Sequence, residues 1–234
     1  MNPSQLSLGI RLRDDATFAN YYPGANAVAL GYVERISEAD ANWVESLVYL
    51  WGAPGVGRSH LLQAACIRVQ ERGARAIFLP LAEVAKYGPQ LLDNLEYCDL
   101  VCIDDIQVIA GHPAWEEGLF HLFNRIRDSG KNLLLGANAA PRELPVKLAD
   151  LKSRLSLALV FQLHDLSDED KLRALQLRAS RRGLQLSEEA GRYLLTRGER
   201  SMSQLFAHLE CLDQASLQAQ RKLTIPFIKA TLNW

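Results

Sequence analysis

The sequence predicts an α/β protein in which a five-stranded parallel sheet has helices on both faces and is followed by a small all-helical domain. Five short apolar runs recur in the first two thirds of the chain, and each of the first four precedes a helix-like segment or a long connection. After about residue 165 these runs stop and helical periodicity replaces them. Strands alternating with helices indicate a parallel sheet, and consecutive Leu, Ile and Val residues suit strands buried on both faces. The runs are 47–51, 76–79, 100–104, 133–137 and 157–163.

The start of the helical part is marked by Ser167. This serine opens a segment resembling a capping box, and Leu172, Leu175 and Ala179 then share one helical face. We therefore expect an N-terminal tail at 1–13, an α/β domain at 14–165 and a helical domain at 166–234.

Later helices also have recognisable ends. Ser187 predicts a helix start and Gly198 its end, a longer helix is predicted over about 201–220, and Thr224 is a suitable cap for a last helix reaching Trp234. The apolar side of the longer helix is predicted to hold Leu205, Leu209, Leu212 and Leu217.

Composition excludes some function classes. The 26 basic and 27 acidic residues give a net charge of −1, whereas proteins that depend on non-specific DNA binding usually have a basic excess. No signal pattern is present, and no apolar run approaches the roughly 18 residues that a membrane span needs. These features predict a cytoplasmic protein with reduced thiols. Cys98 and Cys102 lack a second pair at ligand spacing, which favours buried structural thiols over a metal site.

A glycine-rich segment directly after the first strand predicts a phosphate-binding loop. Its spacing is that of a P-loop, with a strand before it and a helix after it, so that backbone N–H groups and a helix N-terminus face the phosphates. Arg58 stands where lysine is usual. Arginine keeps the charge but is a wide planar fork, so we expect phosphate binding to survive better than hydrolysis. The segment consists of Gly52, Ala53, Pro54, Gly55, Val56, Gly57, Arg58 and Ser59.

The strand 100–104 ends in two carboxylates, Asp104 and Asp105. After a P-loop this arrangement predicts a Walker B element, with Ser59 and Asp104 near a Mg²⁺ ion and Asp105 near the attacking water. An acidic strand end without a ligand is the alternative interpretation.

These motifs, in this order, resemble the DnaA-type AAA+ family. The resemblance covers essentially the whole chain and is closest to the DnaA-homologous regulatory inactivators of bacteria, which also have arginine in the P-loop and no DNA-binding domain after the lid. The matching segments are 52–59, 103–105, 138–141 and 151–155, together with 18–24, 57–62, 166–172 and 219–227.

The resemblance implies an AAA+ domain with a helical lid and a function in replication control. Proteins of this kind bind ADP, dock onto the DNA-loaded sliding clamp of DNA polymerase, and stimulate hydrolysis of the ATP held by DnaA, which prevents re-initiation. Arg154 matches the arginine finger that would act in DnaA's site. On its own, Arg154 would be interpreted as a surface or salt-bridged arginine.

Other site residues follow from the same resemblance. Asn138 matches sensor 1, and Ser203 stands where a sensor-2 arginine is expected, with Arg200 nearby. The remaining positions expected around the nucleotide are Tyr22, Pro23, Asn26 and His60.

The N-terminal tail resembles a clamp-binding peptide, in which a glutamine and apolar anchors enter a pocket. The residues concerned are Gln5, Leu6, Leu8 and Ile10.

Two other functions stay open beside the regulator. An autonomous AAA+ ATPase, such as a remodeller or a clamp-loader subunit, would explain the paired carboxylates. A DNA-binding loader is disfavoured by the net charge. Homo-oligomerisation is left undecided.

Overall fold

A computed structural model of the chain describes residues 12–13, 15–38, 46–199 and 201–234. Within these residues the strands form one parallel sheet, as the sequence predicts. They are β1 (Leu47–Trp51), β2 (Ala76–Pro80), β3 (Leu100–Asp104), β4 (Asn132–Ala137) and β5 (Leu159–Gln162). The order β2-β3-β4-β1-β5 places β1 next to β4 and brings the carboxyl ends of β1, β4 and β3 together at one edge.

Helices cover both faces of this sheet. They are α1 (Ala27–Ile36), α2 (Arg58–Glu71), α3 (Leu81–Val84), α4 (Pro113–Asp128) and α5 (Ala149–Ser156). Val48 and Leu50 of β1 belong to an apolar cluster with α1 and α2, whereas Tyr49 belongs to a second cluster with α4 and α5. Because successive side chains of a strand point to opposite faces, a fully apolar β1 fits a sheet covered on both sides.

The rest of the described chain is helical and forms its own apolar cluster. Its helices are α6 (Asp168–Arg181), α7 (Glu188–Arg197), α8 (Met202–Ala219) and α9 (Ile225–Leu232). Each begins after a hydroxyl side chain that accepts a backbone N–H of the first turn, and the sequence predicts three of these helix starts, at Ser167, Ser187 and Thr224. These caps are Ser167, Ser187, Ser201 and Thr224.

Two details of the predicted elements are wrong. Leu217 was expected on the apolar side of α8 but is 73% exposed. Leu217 lies five residues after Leu212, and this spacing turns its side chain away from the buried face of α8. Ser216 lies on the buried face instead, and its hydroxyl donates to the Arg221 carbonyl at 2.5 Å. The predicted strand 157–163 is shorter because the Leu157 N–H still bonds the Arg154 carbonyl at the end of α5.

None of the helices in the described ranges is long and apolar enough to cross a membrane.

Candidate functional site

The glycine-rich loop connects the carboxyl end of β1 to the start of α2. Gly55 and Gly57 have φ values of +88° and +99°, a region that L side chains rarely adopt. A Cβ on Gly57 would lie 2.8 Å from Cε2 of Tyr21, so the loop also needs glycine there for space. Gly57 is the N-cap of α2 and has no side chain that could cap the helix. The first N–H groups of α2 therefore receive no acceptor from the N-cap residue, which suits an anion.

Two oxygen-bearing side chains, Ser59 and Asp104, meet beside this loop. The Ser59 hydroxyl donates to Oδ2 of Asp104, and the Asp105 N–H donates to Oδ1 of Asp104 at 3.0 Å. Asp104 is 1% exposed. Burial raises its pKa, with a smaller contribution from the neighbouring Asp105 charge, while the Ser59 hydroxyl and Arg58 act in the opposite direction. A hydroxyl and a carboxylate at a strand end are oxygen donors that fit Mg²⁺ accompanying a phosphate.

Arg58 is directed into the protein in this structure. Its Nη1 donates to the Gly52 carbonyl at 3.0 Å, its Nη2 lies 3.6 Å from Oδ1 of Asp105, and the side chain is 8% exposed. The Arg58 side chain therefore connects Gly52, at the beginning of the loop, to Asp105 at the end of β3.

Gln107 is a member of the site that sequence reasoning missed. Its amide nitrogen donates to Oδ1 of Asp105 at 2.8 Å, and its amide oxygen accepts the Asn138 N–H at 3.1 Å. It thereby connects the ends of β3 and β4. The Asp105 backbone is left-handed, with φ of +58°, which turns the chain so that Gln107 reaches back.

A cleft of about 960 Å³, including its open mouth, lies between the loop and the helical part of the chain. The predicted nucleotide residues Tyr22, Arg58, Ser59 and His60 line it. Ser203 also lines it, so this wall carries a hydroxyl where a sensor-2 arginine was expected.

Asn26, which is expected beside the nucleotide, bonds the backbone of a distant residue. Its amide nitrogen donates to the His164 carbonyl at 2.9 Å, and its amide oxygen accepts the His164 N–H at 2.8 Å. Both hydrogen-bonding ends of the side chain are thus used to join residue 26 to the connection after β5. Pro23 precedes the short 3₁₀ turn Gly24–Asn26.

Residues 12–13 and 15–26 lie along the cleft and contact both of its sides. On the α2 side, the Arg13 N–H donates to Gln63 at 2.9 Å, and Nε2 of His60 donates to the Thr17 carbonyl at 2.8 Å. On the other side, Asp15 pairs with Arg178 of α6.

Arg178 also lines the cleft and was not anticipated from the sequence. It is 5% exposed, and its Cζ lies 4.5 Å from the centroid of the Phe206 ring. A buried arginine with an acidic partner 163 residues away leaves no local signal in the sequence.

Arg154 lies outside this cleft, in the last turn of α5. Its side chain is half-buried, and its Cζ lies 5.7 Å from the centroid of Phe123 in α4. The predicted clamp-binding residues Gln5, Leu6, Leu8 and Ile10, and also Arg200, fall outside the described residues.

The cysteines of the described ranges are free thiols, and no cluster of His, Cys, Asp and Glu in those ranges suits a metal ion. Burial raises the pKa of both Cys98 and Cys102.

Comparison with known proteins gives two family matches. A model of the bacterial DnaA ATPase domain matches residues 12–162, and a model of the lid domain of Hda matches residues 168–232.

Solved structures share the fold. Domain III of the replication initiation protein DnaA from Thermotoga maritima is 21% identical, with a TM-score of 0.78 over 96% of this chain and 98% of that one. AMPPCP-bound DnaA from Aquifex aeolicus is 22% identical, with a TM-score of 0.73 over 89% and 68%. A Thermotoga maritima RuvB variant is 15% identical, with a TM-score of 0.66 over 93% and 73%.

Proposed function

This chain belongs to the bacterial DnaA ATPase family, and from that membership we propose that it is an adenine-nucleotide-binding regulator of chromosomal replication initiation. In this proposal the chain holds ADP in its cleft and binds the DNA-loaded sliding clamp through Gln5, Leu6, Leu8 and Ile10. It then stimulates hydrolysis of DnaA-bound ATP through Arg154. The lid of Hda type and the fold shared with an AMPPCP-bound DnaA support the family part of this proposal.

The position of Arg154 is the observation that carries the proposal. The side chain lies on α5, away from the residues that line the chain's own cleft, and it keeps partial exposure. An arginine placed in this way is free to reach a phosphate bound by another molecule. There it would neutralise charge that develops on the γ-phosphate, an effect on the order of 10³–10⁵ in rate where it has been measured.

The residues of the chain's own cleft favour holding a nucleotide over hydrolysing it. The P-loop backbone, with Gly55 and Gly57, would receive the phosphates, and Ser59 with Asp104 would hold Mg²⁺. That ion would neutralise phosphate charge. The Arg58 guanidinium bonds the Gly52 carbonyl and pairs with Asp105. The loop therefore lacks the compact lysine cation that normally stabilises negative charge on the phosphates during hydrolysis.

The test compares wild type with Arg154→Ala in a mixture of DnaA–ATP, sliding clamp and DNA, following ADP formation. Wild type is expected to accelerate hydrolysis, and Arg154→Ala to lose the acceleration while still binding the clamp. Arg68→Ala is the matched control, because Arg68 is also a half-buried arginine over a phenylalanine, with its Cζ 5.1 Å from the Phe18 centroid. Full stimulation by Arg154→Ala would exclude the finger.

An autonomous ATPase is the second candidate, and the contact between Ser59 and Asp104 favours it. It predicts steady turnover by the purified chain alone, abolished by Asp105→Ala. Tightly retained ADP without turnover would exclude this candidate.

A further inference from the structure

We propose that α4 positions the finger: Glu116 caps the N-terminus of α5 and Phe123 supports the Arg154 side chain, so both act as positioning residues. This inference rests on the function proposed above for Arg154.

Glu116 is a buried carboxylate surrounded by backbone donors. It is 1% exposed and accepts the N–H of Gly111 at 2.6 Å, of Lys147 at 3.0 Å to each oxygen, and of Leu148 at 2.7 Å. Burial by itself raises the pKa of Glu116, but these donors outweigh it and hold the pKa below its ordinary value. Glu116 is therefore ionised at neutral pH.

Leu148 is the N-cap residue of α5 and has no side chain that could cap the helix. Glu116 acts from another helix. It accepts the N–H of this N-cap residue and of Lys147 before it, as the glutamate of a capping box accepts the N-cap N–H, and its charge lies near the positive end of the helix dipole. Glu116 thus holds the two residues that lead into α5.

Phe123 supports Arg154 at the C-terminal end of α5. It lies seven residues after Glu116 in α4, almost two full turns, so both side chains leave α4 on the same face. Phe123 is 8% exposed, and Arg154 lies over its ring within the distance of about 6 Å at which a guanidinium is attracted to an aromatic face.

α5 has eight residues, fewer than an isolated helix needs for stability in water, so its direction depends on these contacts. A finger must meet a phosphate within a narrow range of geometry, and a misplacement of about 1 Å can lower a rate on the order of 10²-fold. Loss of either the Glu116 or the Phe123 contact is therefore expected to reduce the rate of DnaA–ATP hydrolysis and not the affinity of this chain for its partners.

The experiment measures DnaA–ATP hydrolysis on the DNA-loaded clamp against the concentration of this chain, together with hydrogen exchange of individual amides. Glu116→Gln places an amide NH₂ against backbone donors. It should lower the maximal rate about 10-fold or more without changing the half-saturating concentration, and it should speed exchange of the Lys147 and Leu148 amides. Glu117→Gln is the matched control, because Glu117 is the exposed neighbour on α4 and should change neither readout.

Phe123→Leu and Phe123→Tyr test the second contact and do not depend on the folding of the Glu116 variant. Phe123→Leu should lower the maximal rate, and Phe123→Tyr, which keeps the ring, should restore it. A wild-type maximal rate for both Glu116→Gln and Phe123→Leu would overturn the inference, as would unchanged exchange in Glu116→Gln. No stimulation by wild type would instead refute the finger itself, and faster exchange in Glu116→Gln would still support the cap.

Discussion

Asn26→Ala should lower the free energy of unfolding by more than the loss of a few side-chain atoms would, because the side chain makes two hydrogen bonds. The Asn26 side chain is 3% exposed and exchanges two hydrogen bonds with the backbone of His164, at 2.9 and 2.8 Å. The truncation removes both bonds and leaves a backbone N–H and a backbone C=O without their partners.

The size of the effect follows from these contacts. Each bond contributes about 0.5–1.5 kcal/mol net, and each buried group left unpaired costs about 1–3 kcal/mol unless water reaches it. With partial access of water at the edge of the cleft, we expect a loss of about 2–4 kcal/mol in the free energy of unfolding.

Urea unfolding of wild type and variant under identical conditions measures this loss. Asn132→Ala is the matched control, because the Asn132 amide makes a single long bond of 3.4 Å to the Ile36 carbonyl and should cost about 1 kcal/mol or less. We also expect the ratio of ADP to GDP affinity to stay unchanged, since both ends of the Asn26 amide already bond the His164 backbone. An Asn26→Ala loss no larger than that of Asn132→Ala would refute the reasoning, and a changed ratio would indicate direct contact with the base.

Two further variants test the loop and the Walker B element. Asp104→Asn should stabilise the nucleotide-free protein at neutral pH. Because the folded-state pKa of Asp104 is raised, its stabilising contribution is complete below the ordinary pKa and is lost as pH rises through the raised value. Urea unfolding from about pH 4 to about pH 8 should therefore show a difference that grows with pH, and a constant difference would contradict the raised pKa. Gly57→Ala should cost more stability and more ADP affinity than Gly55→Ala. Both positions have positive φ, at a cost of about 1–3 kcal/mol, but only at Gly57 does the new Cβ also approach Tyr21, at 2.8 Å. Equal losses in the two variants would show that the space beside Tyr21 does not matter.

Local sequence signals were sufficient for much of the fold. The ends of β1 and β3 coincide with the predicted runs, because Gly52 and Asp105 interrupt apolar stretches at points where the chain must turn. The lid helices begin after the predicted hydroxyl residues for an equally local reason, the bond from Ser187 or Thr224 to an N–H of the next turn.

The parts that could not be predicted depend on contacts between distant residues. Gln107 and Glu116 look like ordinary polar residues in the sequence. In the fold, Gln107 accepts the N–H of Asn138 and Glu116 accepts the N–H of Leu148, and both donors are about 30 residues away along the chain. The pairing of Asn26 with residue 164 spans 138 positions and has no periodic signature, so the sequence does not predict it.

The contacts of residues 15–26 couple the two sides of the cleft. These residues are joined to α2 through the bond of His60 to the Thr17 carbonyl and to α6 through the pairing of Asp15 with Arg178. If α2 and α6 moved apart, residues 15–17 would have to follow one helix and release the other. A ligand that widened the cleft would therefore compete with either the bond between His60 and Thr17 or the pair of Asp15 and Arg178.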